Sequence, residues 1–307
     1  MQPDLPSEFW RQLADQHTRD LSAFGFERIK RKQAFKYFNW DWRWRNLTRS
    51  EQFRFLLRHS GISTLVRCAA AGTALDDASW MPIRQSRADR WLYSFATRLL
   101  WEYAIRHGDR DVLALAEPDL GSPLPVSWQG RLISQDLANT SLETAVIRRA
   151  LGDKPVTRVL EVGAGYGRTA HALLNLYPAC SYTIIDIEPA LSISKWYLSQ
   201  LFPASRLTFI LANGASPIET GSYDLALSIS SLQEMTPPQV AGYLSLFNTA
   251  AAGGTVFLKQ WTRWHNSVDR VTATFDDYPV PGRWRRVLHE QAPVQTRFTQ
   301  AAWRVPV

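Results

Sequence analysis

The apolar positions of the chain follow two different periods. Up to about residue 117 they recur at spacings of three and four with no good period-two alternation, so this region reads as helical. Leu92, Phe95, Leu99 and Tyr103 mark one buried face over 88–107, and Gly108 follows as a C-cap. Two shorter helices are predicted over 50–59 and 62–71, around Ser60-Gly61. After a helix over 134–151 the pattern changes to short continuous apolar runs at 159–162, 182–187, 207–211, 223–229 and 255–258. These runs are too uniformly apolar to leave one face in water, which is the mark of parallel strands covered on both sides. The stretches 168–176, 190–201 and 236–252 read as the crossover helices, and the last opens on a capping box, Thr236 with Gln239, with Pro237 at the first helical position. Three prolines (118, 123, 125) and two glycines (121, 130) crowd the stretch between the two regimes. The predicted organisation is a helical domain over 1–130 and an α/β domain over 131–307, a Rossmann-like, doubly wound, mostly parallel sheet.

Composition narrows the function classes. At 307 residues with 45% hydrophobic and 21% charged positions, the chain is neither disordered nor fibrous. It holds no membrane-spanning run, and its start lacks the layout of a signal peptide, so a cytoplasmic protein without a membrane partner is expected. Cys68 and Cys180 stand far apart with no metal-ligand spacing, which predicts free buried thiols and excludes a disulfide scaffold and a zinc-ribbon site; the paired carboxylates Asp76-Asp77 and Asp276-Asp277 have no third ligand nearby, so no metal is implied. The net charge of +7 is not spread evenly: Lys and Arg number 19 against 15 acids over 1–130, 8 against 9 over 131–258, and 8 against 4 over 259–307. The α/β core is therefore neutral, which disfavours an anionic partner there.

The chemistry is carried by the first predicted strand and its exit, Val159-Leu-Glu161-Val-Gly163-Ala-Gly165-Tyr-Gly167-Arg168. Glycines between a strand and a helix permit a tight turn and a close backbone approach to a ligand. A dinucleotide loop needs Gly-x-Gly-x-x-Gly, which would put a glycine or alanine at 168, whereas Arg168 stands there and the third glycine comes one residue early. With Glu161 ahead of it, the loop resembles that of class I S-adenosylmethionine-dependent methyltransferases, and the resemblance implies S-adenosylmethionine as cofactor, with Glu161, Gly163, Gly165 and Gly167 among the residues that bind it. Asp186, at the end of the second strand, can accept both ribose hydroxyls, while Glu188 suits the start of the following helix better.

The segments LEVGAGYGRTAHALL, YTIIDIEPAL, SKWYLSQLFP, LALSISSLQEMTPPQ, GGTVFLKQW and DDYPVP together resemble the bacterial sugar O-methyltransferase family over roughly residues 130–300. A fainter likeness at Tyr37, Phe38 and Trp40 extends it toward the N-terminus. The resemblance implies methyl transfer to a hydroxyl of a sugar or glycosylated natural product, in secondary metabolism or polysaccharide synthesis. The small-molecule glycoside would be the partner, with a homo-oligomer left open and the N-terminal domain serving as lid, substrate support or oligomerisation surface.

Ligands of an open α/β sheet lie beyond the carboxyl ends of the strands, so the other candidates come from the strand exits. Glu234 is the preferred general base and His265 its rival, expected in a loop; His171 reads as structural. Asn213, after the third strand, is placed to read the adenine edge, although Asn213-Gly214 is also a turn signal. Ser230 is a contact for the methionine end. Lys259, Trp261 and Trp42 are candidates for the acceptor. The tryptophans are unevenly placed, eight over 1–128, four over 261–303 and Trp196 alone between, so rings at Trp40, Trp42, Trp44, Trp261 and Trp264 are candidate stacking partners for a sugar face.

Three alternatives stand beside this reading. A polyketide or other small-molecule hydroxyl suits the same fold, and so does a non-methylating cyclase or scaffold. A nucleic-acid methyltransferase is disfavoured, because enzymes that methylate exocyclic amines carry an Asn/Asp-Pro-Pro-aromatic tetrad where this chain reads Ser230-Ser-Leu-Gln233.

Overall fold

The structure is a computed structural model and describes residues 7–31, 48–73, 86–212, 218 and 220–307. It divides into two compact units, one of residues 20–145 with 293–296, the other of 1–19, 146–292 and 297–307. The first described helix is α1 (Glu8–Phe24).

In the unit around 20–145 the three expected helices are present as α2 (Glu51–His59), α3 (Ile62–Ala70) and α4 (Arg87–His107). Ser86 and Asp89 form a reciprocal capping box at the start of α4, and Leu92, Phe95, Leu99 and Tyr103 are buried on it as the spacing predicts. Gly108 closes the helix in an extended conformation, its N–H donating to Ala104 O. Arg98 is fully buried and donates to the carbonyls of Cys68, Ala71 and Gly72, tying α4 to the open C-terminal end of α3. The short helix α5 (Arg110–Ala114) follows, capped by Asp109. The Pro/Gly-rich stretch is more ordered than its composition implies: β1 (Val126–Trp128) pairs antiparallel with β2 (Arg131–Ile133) across Gln129 and Gly130. Both turn residues have positive φ, 49° and 79°, the backbone a two-residue hairpin turn demands. Helix α6 (Gln135–Leu151) comes next.

The other unit is built on a seven-stranded sheet of order β10-β11-β7-β6-β3-β4-β5. Its parallel part is β3 (Arg158–Val162), β4 (Ser181–Asp186), β5 (Leu207–Leu211), β6 (Leu225–Ile229) and β7 (Thr255–Trp261), crossed by α7 (Arg168–Leu176), α8 (Ala190–Ser199) and α9 (Pro237–Ala250). The chain runs outward from β3 to β5 and then returns to β6 on the other side of β3, so the strand order reverses between β3 and β6. That reversal opens the crevice in which such sheets hold ligands. Leu160, Val162, Ala226, Val256 and Leu258 pack against Val240, Leu244 and Phe247 of α9 in one buried cluster. Thr236 and Gln239 form the expected capping box. This is the mostly parallel, doubly wound sheet the apolar runs predict.

Antiparallel additions complete the sheet: β10 (Arg285–Gln291) and β11 (Phe298–Arg304) extend it beyond β7, and β8 (Arg263–Asn266) with β9 (Val271–Thr274) form a separate hairpin. Helix α1 begins at this hairpin, where Asp269 accepts from the N–H groups of Glu8 and Phe9. Among the described residues no helix is long and apolar enough to cross a membrane.

Candidate active site

The glycine loop leaves β3 at the crevice. Gly163, Gly165 and Gly167 have φ of 78°, 60° and 95°, values that favour glycine. Packing requires two of them as well. A Cβ on Gly163 would fall on the Ser231 side chain, and one on Gly167 would meet Leu198 of α8 at 2.9 Å. The loop is thereby fitted to the exit of β6 on one side and to a crossover helix on the other.

Asp186 closes β4 beside this loop and is largely buried. Its Oδ2 accepts from the Gly165 N–H at 3.2 Å and its Oδ1 from the Ile187 N–H at 2.8 Å. Burial pushes the carboxyl up to about 7, against the pull of these backbone donors, and nearby Glu188 adds to the rise. Glu188 itself is exposed and accepts from the Ser192 N–H, so it serves the first turn of α8 as expected. Glu161 lies inside the sheet, almost fully buried, with Tyr182 Oη donating to its Oε2 at 2.9 Å. Tyr182 gave no signal in the sequence, because the contact crosses from β4 to β3.

The β6 exit is pinned to β7. Ser230 has φ of 56°, in the left-handed region that costs a non-glycine residue about 1 kcal/mol or more. Its N–H donates to Lys259 O at 2.7 Å. The fully buried Gln260 accepts from the Ser231 N–H and donates to Ser228 O and Oγ. A 3-10 turn, Leu232–Glu234, follows, and β8 and β9 pack on it. Glu234 is 4% exposed, and burial pushes its carboxyl up to about 8; the Gln233 amide, bonded to it, acts the other way, and Asp186 adds to the rise. Tyr243 of α9 is likewise raised, to about 12, by burial and by Asp186. Asp186 thus acts on both a second acid, Glu234, and a phenol, Tyr243.

Several expected positions differ in the structure. Strand β7 continues to Trp261 rather than ending at 258, so Lys259 and Gln260 lie within the sheet and not on an exit loop. Their polar side chains stay in the ladder because the sheet partners them: Gln260 bonds Ser228, and the Lys259 ammonium lies 5.4 Å from the Phe298 ring. His265 is on strand β8 rather than in a loop; it is exposed and its Nδ1 is 3.0 Å from Thr272 Oγ1 across the hairpin. Trp261 packs edge-on against Trp264 at 5.1 Å and against Phe298 at 5.4 Å, so part of its ring is engaged by neighbours. His171 is buried against Tyr197 and Phe202. Cys68 and Cys180 are buried free thiols. Asn213, Trp40, Trp42 and Trp44, with Tyr37 and Phe38, lie outside the described residues. Among the described residues no group of three His, Cys, Asp or Glu side chains could hold a metal ion.

Residues 160–256 match a protein-family model described as a methyltransferase domain. The match runs from the first parallel strand, β3, through the glycine loop to the start of the last, β7, and over this segment the chain is similar to that family. The chain is 35% identical over 78 residues to a release factor glutamine methyltransferase of Rhodopirellula baltica, 24% of this chain and 26% of the relative, so it spans about a quarter of that relative's length. Among solved structures it is similar to Burkholderia thailandensis 1,6-didemethyltoxoflavin-N1-methyltransferase, at 19% identity and a TM-score of 0.44 over 55% of this chain and 79% of the other. It is also similar to geranyl diphosphate C-methyltransferase from Streptomyces coelicolor A3(2), at 9% identity and a TM-score of 0.44 over 54% and 77%.

The residue types at the crevice suit S-adenosylmethionine, the cofactor that the loop's resemblance implies. Three glycines carry the left-handed loop backbone without side chains, and Asp186 stands at the end of the neighbouring strand, a carboxylate suited to a diol.

Proposed function

We propose that the chain transfers a methyl group to a hydroxyl of a sugar or glycoside, with Glu234 accepting the hydroxyl proton. The observation that carries this reading is the placement of Glu234: a buried carboxyl directly after β6, at the strand-order reversal, on a turn under the β8–β9 hairpin. Bound S-adenosylmethionine supplies an electrophilic methyl group. The protein's part is to hold two molecules in line, to keep water out and to take one proton, and a positioned base contributes about 10²–10⁴-fold.

Asp186 takes the ribose hydroxyls, and the Gly163–Gly167 backbone lies along the methionine end, with Ser230 beside it. Glu161 supports the loop from within the sheet through Tyr182. The raised carboxyl of Glu234 suits a base for an alcohol better than an ordinary carboxylate, since its proton affinity lies nearer the working pH. Trp261, Trp264 and Phe298 form an aromatic group next to the β7 end, and a sugar's apolar face is the acceptor surface that such rings favour.

The test is incubation with methyl-labelled S-adenosylmethionine and a panel of glycosides, for the wild type and for Glu234→Gln. Label transfer to glycosides, lost by 10²-fold or more in the variant with cofactor affinity unchanged, supports the reading. Cofactor binding with no transfer to any hydroxyl favours a non-methylating role, and transfer only to aglycone polyketides moves the acceptor class.

A further inference from the structure

The turn that carries Glu234 also leaves polar atoms buried without a partner. Gln233 is 2% exposed, and its amide N–H donates to Ser230 Oγ at 3.2 Å and to the Glu234 carboxylate, but its Oε1 has no hydrogen-bond partner among the described residues. Because the amide nitrogen is engaged by two groups of the β6 exit, the oxygen on the same amide carbon lies at that exit too. Tyr278 Oη is also buried and has no hydrogen-bond partner among the described residues, and Tyr278 lies near enough to Glu234 for the carboxylate to act on its phenol. The ring is held by Phe275, at 5.6 Å and 35°.

A buried polar atom left unsatisfied is costly, because it has given up water and gained nothing in return. Two of them around one carboxyl mark a place where a ligand's polar groups can complete the bonding. Neighbouring side chains on the turn offer two acceptor atoms side by side, the Glu234 carboxylate and Gln233 Oε1, so they match two adjacent donors. The Tyr278 hydroxyl can donate to, or accept from, either.

We propose that Gln233 and Tyr278 recognise a second hydroxyl adjacent to the one methylated, so that the acceptor must present a vicinal diol. This rests on the reading of Glu234 as the group that takes the hydroxyl proton. Gln233 Oε1 accepts from the neighbouring hydroxyl, and Tyr278 Oη bonds the oxygen of the same diol. A site built around a hydroxyl rejects the analogue that lacks it, because its own buried groups are then unpaired.

The probes are cis-1,2-cyclohexanediol and cyclohexanol, titrated by ligand-observed NMR into the full chain with and without saturating adenosylhomocysteine. The expected result is tenfold or greater preference for the diol in the wild type, falling to threefold or less in Tyr278→Phe and in Gln233→Met. Tyr278→Phe removes one oxygen only, and it decides the matter should Gln233→Met fail to fold. Equal binding of the two probes, no binding of the diol, or a preference that survives both substitutions overturns the proposal; water alone satisfying the two atoms gives the first or second of these results. Failure of adenosylhomocysteine to bind, or of methyl to reach any hydroxyl, counts against the proposed function instead, because the diol preference is read separately without cofactor.

Discussion

Gly163 and Ser231 meet where the glycine loop passes the exit of β6, and the Ser231 side chain fills the space a Cβ on Gly163 would occupy. The first glycine of the loop is thus fixed by two requirements, a left-handed φ of 78° and a neighbour in direct contact. Gly163→Ala is expected to destabilise the fold by about 1–3 kcal/mol and to weaken cofactor binding. Ser231→Gly in the same chain should return the steric part, leaving only the backbone strain. Chemical denaturation of the two single variants and the double variant measures this; a coupling below ~0.5 kcal/mol would mean the contact does not matter.

Asp186 holds the loop through Gly165 and is the group assigned to the ribose. Asp186→Ala should lower adenosylhomocysteine affinity by about 10–100-fold, the worth of one to two hydrogen bonds to a charged group. Calorimetric titration checks it. Unchanged affinity would remove Asp186 from the cofactor site.

The pH dependence of the transfer follows from Glu234. A carboxyl pushed up to about 8 by burial is protonated below that pH and accepts a proton only above it. The rate of a single turnover should therefore rise with pH to a plateau with its midpoint near 8, and Glu234→Gln should lose this limb along with most of the rate. A profile already flat from pH 6 to 9 in the wild type would contradict the assignment.

The same groups make the fold's stability depend on pH. Asp186 and Glu234 have ordinary values of 3.8 and 4.5 and are raised to about 7 and about 8 in the folded chain. A raised folded value means that the stability these carboxyls contribute is complete below about pH 4 and is lost as pH climbs through 7 and 8. Without cofactor, the melting temperature should fall from pH 5 to pH 8, and Asp186→Asn with Glu234→Gln should flatten that fall by the equivalent of at least ~1 kcal/mol. Parallel curves for wild type and double variant would show that neither group is held protonated.

Local features were the legible part of this molecule. The Gly163–Gly167 spacing, the Thr236–Gln239 capping box and the period of 88–107 each depend on residues close in sequence, and each is found where the pattern puts it. The β8–β9 hairpin was not legible, because four-residue strands such as RWHN and VTAT carry too little pattern. Strand β10 is a partly exposed edge whose register shifts between Arg286 and Leu288, which breaks the alternation that would have marked it. Lys259 and Gln260 misled for a different reason: their polarity suggested a loop, whereas the sheet keeps both, Gln260 by bonding it to Ser228. The Tyr182–Glu161 bond and the nearness of Tyr278 to Glu234 join residues 21 and 44 positions apart, and only the folded chain brings them together.

The measurement that bears most directly on the account is product analysis after reaction with S-adenosylmethionine carrying a ¹³C-labelled methyl group and a glycoside panel. A single ¹³C methyl resonance in the O-methyl region is expected, on the oxygen of a sugar carbon that neighbours a free hydroxyl, and absent from the Glu234→Gln reaction. Label on nitrogen or carbon, or none on any glycoside while cofactor binds tightly, would contradict it.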